Sequence, residues 1–232
     1  MQISLSYYTH IGKRADNEDA LAAVEGKSGL LACVADGLGG HQNGEFASRA
    51  AVAELRRLHE EGLLGDDPEG AVMRADAAVR RVHETAPGAL TTVAALWLGA
   101  DRAVAAHVGD SRIYQFRDGK ILYQSVDHSA AQLAVAAGEI TPQQIRTHRD
   151  RNKLIRVLGG EIAPKVTLKR LTLRSGDRFL VCSDGFWERV TEEEMLASAQ
   201  RSGDAAQWLD ELRAIAQPAA RDNNTAIAIL VR

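Results

Sequence analysis

The order in which two hydrophobic periodicities succeed one another is the strongest constraint on how this chain folds. Three short apolar runs bounded by turn residues come first, Ile3 to Tyr8, Ala20 to Val24 and Leu30 to Ala35, each of strand length. The period then changes: Ala51, Leu55 and Leu58 recur at helical spacing, Arg56, Arg57, Glu60 and Glu61 face away, and Gly62 is a stop. A second amphipathic helix enters at Asp67-Pro68 and sets Ala71, Ala75, Ala78, Val79 and Val82 on one face. From Thr92 strand-type runs return as VAALWL, AVAAHV, RIYQF and KILYQ. The last two are joined by Asp118-Gly119, a two-residue hairpin signal, and the four read as an antiparallel meander. Two helices set between blocks of strand predict an α+β layered sandwich rather than alternating βαβ units.

Residues 129 to 152 interrupt this rhythm. Ser129 caps a short helix that ends at Gly138, a second helix enters at Thr141-Pro142, and the whole reads as an insertion over one end of a sheet. Strands resume at Val166 to Leu173 and Arg178 to Cys182; Thr191 and Glu194 form a capping box for the next helix. A helix over Asp204 to Ala216 and a strand over Thr225 to Val231 close the chain. With no repeat or linker to divide it, a single domain over residues 1–232 is expected, with its insertion at 129–152.

Charge narrows the possible partners. Lys and Arg total 28 against 31 acids, so no broad field favours nucleic acid. No apolar run approaches the ~20 residues of a membrane span, and Met1 leads into QISLSYY without a signal peptide, so a cytoplasmic protein off the membrane is expected. No heptad seam is present, and the expected state is a monomer. Arg146, His148, Arg149, Arg151, Lys153 and Arg156 read as a solvated loop face, with contact to an anionic substrate as the alternative. Cys33 and Cys182 sit in the apolar runs LLACVAD and FLVCSD and are expected to be small buried hydrophobes.

Chemistry gathers in the acids. Asn17-Glu18-Asp19, Asp36-Gly37, Asp110 and Asp184-Gly185 stand at ends of predicted strands or in the turns after them, and Asp222-Asn223 precedes the last strand. Several carboxylates aimed at one spot repel one another unless cations neutralise them. Hard divalent ions such as Mg²⁺ and Mn²⁺ prefer oxygen ligands, and no Cys/His cluster offers zinc spacing. Each element alone is also an ordinary turn, since Asp-Gly tolerates turn dihedrals.

Their order removes that ambiguity. Arg14-Ala15-Asp16-Asn17-Glu18-Asp19, Val34-Ala35-Asp36-Gly37-Leu38-Gly39-Gly40-His41, Val108-Gly109-Asp110-Ser111-Arg112, Ser183-Asp184-Gly185 and Asp222-Asn223-Asn224-Thr225 resemble, in sequence and order, the signature segments of the PP2C phosphatases, metal-dependent serine/threonine protein phosphatases. The resemblance runs from about residue 5 to residue 231 and is closest to bacterial stand-alone members. It implies a four-layer αββα sandwich, two central antiparallel sheets flanked by helices, with a mobile flap at about 129–152. By motif position it implies that Asp36 bridges two Mn²⁺ or Mg²⁺ ions with the Gly37 carbonyl as a further ligand. Asp184 and Asp222 complete one ion's shell, and Glu18 and Asp19 act through the other and its waters. Asp110, with Asp184, matches a third and weaker site. Arg14 matches the arginine that grips the substrate phosphate, a task suited to a planar guanidinium. Arg14, Asp36 and Asp184 are therefore the expected catalytic residues, and the expected reaction is hydrolysis of phosphoserine and phosphothreonine by a water activated between two cations.

Departures from the pattern also bear on mechanism. Leu38 stands where many eukaryotic relatives carry a histidine, a candidate general acid; bacterial relatives commonly have Met there, and His41 lies three residues on. Ser111 beside Arg112 is not expected to be a nucleophile, since no base is placed to activate it. His107 reads as a core or network histidine, and His128 and His148 as solvated residues bordering the insertion, with contact to substrate as the alternative. The resemblance implies phosphorylated proteins as partners, with an opposing Ser/Thr kinase. The alternative is a catalytically inactive module that binds phosphoproteins or a kinase, against which stands an acid at every expected metal position. A phosphatase of a partner-switching regulator is a third reading, although such proteins usually carry sensor domains.

Overall fold

The computed structural model of the chain describes residues 2–26, 29–38, 43–63 and 67–232. Its first strands are β1 (Ile3–His10), β2 (Asp19–Gly26) and β3 (Gly29–Asp36), followed by helices α1 (Gly44–Glu60) and α2 (Pro68–Val82). Strands β4 (Val93–Leu98), β5 (Arg102–Val108), β6 (Arg112–Arg117) and β7 (Lys120–Gln124) come next, then helix α3 (Ala130–Ala136). The chain ends with β8 (Thr167–Thr172), β9 (Arg178–Cys182), the one-turn α4 (Asp184–Trp187), α5 (Glu192–Arg201), α6 (Ala205–Ala216) and β10 (Asn224–Val231). One sheet runs β1-β10-β9-β6-β7 and the other β2-β3-β4-β5-β8, with antiparallel neighbours throughout.

Strand alternation sorts the apolar residues into three layers of core. Leu30, Ala32 and Val34 of β3 and Ile227, Ile229 and Val231 of β10 pack between the two sheets with Leu96, Phe179 and Val181. The opposite face of β3, Leu31, Cys33 and Ala35, meets Ala47, Ala51 and Leu55 of α1 and Val72, Ala75 and Val79 of α2. The opposite face of β10, Ala226 and Ala228, meets Trp208 and Leu212 of α6 and Met195 of α5. Because β3 and β10 are covered on both faces, their side chains are apolar on both parities. These layers are the four-layer αββα sandwich. Both cysteines are buried and free.

The meander expected from Thr92 onward is corrected. β4 pairs with β5 in one sheet, β6 with β7 in the other, and the chain crosses between sheets at Gly109-Asp110-Ser111. Gly109 turns there at φ 102°, in the left-handed region, and a Cβ on it would lie 2.6 Å from Thr92 Cγ2. The Asp118-Gly119 turn is as expected, with φ 50° and 70°, the type I′ signs of a hairpin.

In the insertion, Ser129 Oγ caps α3 by accepting from Gln132 N, and Gly138 turns away at φ 75°. The second expected helix is a 3₁₀ segment over Pro142–Thr147. The solvated basic face is corrected in part: Arg146 pairs with Glu192 at 2.6 Å, Arg151 with Glu188 at 2.5 Å and Lys153 with Asp150 at 2.7 Å, while Arg149 stays 90% exposed. Acids after α4 and at the start of α5 thus bind the insertion down. No described helix is long and apolar enough to cross a membrane.

Candidate active site

Sheet pairing carries the acidic turns to one edge of the sandwich. In the register of β2 with β3, Asp19 stands opposite Asp36. Asp184 follows β9 and Asp222 precedes β10, and these two strands are neighbours. Asp110 lies in the crossover before β6, whose first residue, Arg112, pairs with the last of β9, Cys182. Residues distant in sequence therefore meet because their strands begin or end at the same edge. They open on a cleft of about 280 Å³ lined by Arg14, Glu18, Asp36, Gly37, Leu38, Asp110, Asp184 and Asp222, together with Asn152 and Leu154 from the end of the insertion. Asp19 sits just behind, 6% exposed.

The backbone around these acids is tightly held. Asp36 N donates to Thr92 Oγ1 at 3.0 Å and Gly37 N to Glu18 O at 3.1 Å. A Cβ on Gly37 would fall 2.3 Å from Gly44 O, so only glycine lets these two backbones approach. Asn223 pins the β1–β2 connection at three points: its Oδ1 accepts from Glu18 N at 2.8 Å, and its Nδ2 donates to Ile11 O and Asp16 O at 2.9 Å. Trp187 Nε1 donates to Asp110 O at 2.9 Å. Arg14 reaches the cleft through Nη2, which donates to Asp222 Oδ2 at 2.6 Å, and its side chain is 48% exposed.

Burial and mutual repulsion leave these carboxylates reluctant to ionise. Burial, then the charges of Asp184, Asp19 and Asp110, push Asp36 well above the usual carboxylate range. Asp110 moves the same way through burial and the Asp184 charge. Asp184 is pushed up to about 7 by burial and by Glu188 and Asp222, and Asp19 to about 6, mainly by burial. Burial and the Glu45 charge raise Glu18.

Divalent cations fit this chemistry. Asp19 Oδ2 accepts from Ser183 Oγ at 2.8 Å, but its buried Oδ1 has no hydrogen-bond partner among the described residues. Among the described residues no three His, Cys, Asp or Glu side chains form a ready cage for a single ion. The acids lining the cleft, Glu18, Asp36, Asp110, Asp184 and Asp222, offer oxygen donors only, the kind that Mg²⁺ or Mn²⁺ prefers.

The remaining candidates divide. Ser111 is 1% exposed and bonded to Thr92 Oγ1 at 2.7 Å, so it cannot attack a ligand in the cleft. His107 is buried, as expected. His128 is a correction: it is 6% exposed, stacks on His107 at 4.6 Å between centroids, and its Nδ1 accepts from Gly109 N at 3.1 Å. The crossover turn needs an acceptor there, which removes His128 from solvent. His148 is half-buried, its Nδ1 accepting from Asp150 N. His41 lies outside the described residues.

Residues 8–227 match the family described as Protein phosphatase 2C. The chain belongs to the protein phosphatase 2C family. It is 36% identical over 194 residues to the serine/threonine protein phosphatase PstP of Mycobacterium tuberculosis, an alignment covering 81% of this chain and 37% of that relative's length. Its fold superposes on Stp1, a serine/threonine phosphatase of Staphylococcus aureus, with a TM-score of 0.90 at 28% identity over 100% of this chain and 96% of the other. The catalytic domain of PstP, solved in complex with two manganese ions, superposes with a TM-score of 0.81 at 32% identity over 100% of both chains.

Several residues of this protein phosphatase 2C site were not singled out from sequence. Asn152 and Leu154 line the cleft, Thr92 and Asn223 hold the backbone under the acids, and Trp187 fixes Asp110. Asn223 had a signal, its place in the Asp222-Asn223-Asn224 run; Thr92 and Trp187 read as ordinary strand and core residues.

Proposed function

We propose that this chain hydrolyses phosphoserine and phosphothreonine monoesters in proteins, with Mn²⁺ or Mg²⁺ as cofactor. The observation that carries the reading is the convergence of Glu18, Asp36, Asp110, Asp184 and Asp222 with Arg14 on one cleft, where burial and repulsion push several of the acids upward. The manganese ions of the similar PstP catalytic domain support the choice of cation. Asp36, the Gly37 carbonyl, Asp184 and Asp222 would hold one pair of ions together with Glu18 and Asp19, and Asp110 with Asp184 would hold a weaker third. When bound, such cations neutralise the acids and lower the pKa of a water enough to make it a nucleophile at neutral pH. Arg14, at the exposed rim, turns a guanidinium toward the phosphoryl oxygens and stabilises the charge that builds on them in the transition state. The Asp222 carboxylate keeps Arg14 at that rim before substrate arrives. Asn223 and Trp187 hold the turns that carry the acids, so the site is organised in advance.

The partners that follow are phosphorylated proteins, with a Ser/Thr kinase acting in opposition, and the acting species is a cytoplasmic monomer of one domain. Phosphate release from a phosphothreonine peptide tests the reading, with Mn²⁺ against excess chelator and with Asp36→Asn and Asp184→Asn. Release should require the cation and fall about 100-fold or more in either variant while the fold is retained. Near-normal turnover by either variant sinks the assignment.

A further inference from the structure

A second cleft, of about 500 Å³, opens beside the first, and Leu154 lines both. The segment that leaves the catalytic cleft at Asn152 and Leu154 continues directly as the wall of the second, through Ile155 to Lys165. Its lining is mainly aliphatic. Ile155 is 47% exposed and Ile162 85% exposed. An isolated exposed aliphatic residue needs no explanation, but two on one concave segment next to a catalytic cleft form a surface that favours an apolar ligand.

The loop that presents them is built in place. Gly159 N donates to the buried Asp76 Oδ1 at 2.8 Å, and Asp76 is itself paired with Arg80 at 2.7 Å. Arg80 reaches Glu161 O at 3.5 Å, and Arg156 reaches Lys165 O at 3.4 Å. A Cβ on Gly159 would stand 2.7 Å from Ala89 O, so the backbone is seated directly on its neighbours. Ile162 is thus held outward between anchored ends.

We infer that this second cleft binds the polypeptide of the phosphoprotein substrate, taking an aliphatic side chain next to the phosphorylated residue. The inference rests on the phosphatase reading above, and continuity decides the occupant. A phosphorylated side chain in the catalytic cleft must leave along its rim, and Leu154 passes that rim into the second cleft. Arg156 and Lys165 line it against the single acid Glu161, a balance that favours a segment carrying acidic residues. A small phosphate ester would occupy the first cleft alone.

The test compares wild type with Ile155→Ser/Ile162→Ser, two exposed positions outside the catalytic machinery. The substrates are p-nitrophenyl phosphate and a phosphothreonine peptide flanked by leucines, in Mn²⁺. The double variant should raise KM for the peptide about tenfold and leave kcat/KM for the small ester unchanged, and a peptide with the leucines replaced by serine should lose the distinction. Unchanged peptide kinetics, or an equal loss on both substrates, overturns the inference. Failure of the phosphatase reading looks different, since wild type then releases phosphate from neither substrate. Anisotropy of the labelled phosphopeptide on Asp184→Asn protein, with and without the two serines, still decides in that case: about tenfold weaker binding supports the cleft, and equal affinity overturns it.

Discussion

Replacing Trp187 with Phe removes one hydrogen bond from beneath the active site and leaves most of the surrounding contacts available. The indole Nε1–H donates to Asp110 O at 2.9 Å, in a place where both groups are buried. The Arg112 guanidinium stands 3.5 Å over the same ring, and a phenyl face can still receive it. Arg112 keeps its bidentate bonds to Asp127, at 2.8 and 2.7 Å, in either protein. The variant therefore isolates the Asp110 bond and a modest loss of volume. Leaving a buried carbonyl without a donor costs about 1–3 kcal/mol, and the smaller ring adds roughly 1 kcal/mol for the space it vacates. For a chain of this size, a total of about 2–4 kcal/mol corresponds to a Tm fall of roughly 4–16 °C. Urea denaturation of the chelated protein should show a lower midpoint at constant slope. Calorimetric titration should show weaker Mn²⁺ uptake at the site proposed for Asp110 with Asp184. A stability loss below about 0.5 kcal/mol would refute the claim that this bond holds the turn, being within the usual range for unimportant positions. Unchanged Mn²⁺ binding alongside a clear stability loss would separate Trp187 from the cation site.

Three further outcomes follow from the same geometry. Arg14→Lys keeps the charge but loses the planar fork, so kcat/KM for a phosphopeptide should fall about tenfold, measured at fixed Mn²⁺; equal kinetics would mean Arg14 acts only as a charge. In chelated protein Asp19, at about 6, and Asp184, at about 7, lie above their unfolded values, and Asp36, Asp110 and Glu18 are raised as well. Raised carboxylates contribute stability that is complete below the unfolded pKa and is lost as pH rises through the folded one. The Tm of the chelated protein should thus decline between about pH 4 and pH 7, with Mn²⁺ restoring most at the high end; a Tm rising over that window contradicts the electrostatics. Burial pushes the Cys33 thiol up to about 12 and raises Cys182 too, so neither should react with a thiol reagent at pH 8 until denaturant is added, as followed by thiol absorbance.

What could be read in the sequence, and what could not, divides along a physical line. The acids were legible because the proposed chemistry falls to their side chains, so their identity and the turns that carry them are both written in the residues: Asp36-Gly37 after an apolar run, Asp184-Gly185 after another. The strands and long helices were legible from their periods. The partition of the strands was not, because β5 and β6 are buried on both faces and an apolar run of this kind looks the same whether the next strand lies beside it or across the sandwich. What decides is Gly109, whose left-handed turn sends the chain across, and a lone glycine before an aspartate also fits a plain hairpin. Support for the site was hidden for a related reason. Thr92, His128 and Trp187 each act through one polar atom on a residue type that strands and cores use routinely, and only a partner distant in sequence reveals the role. The three partners are Asp36 and two of the three residues of the crossover turn, Gly109 and Asp110. The elements that escaped a reading of the sequence therefore converge on the place where the two sheets exchange the chain. Joining the sheets and placing a carboxylate are done by the same turn, so a substitution that loosens the crossover should disturb cation binding before it disturbs either sheet.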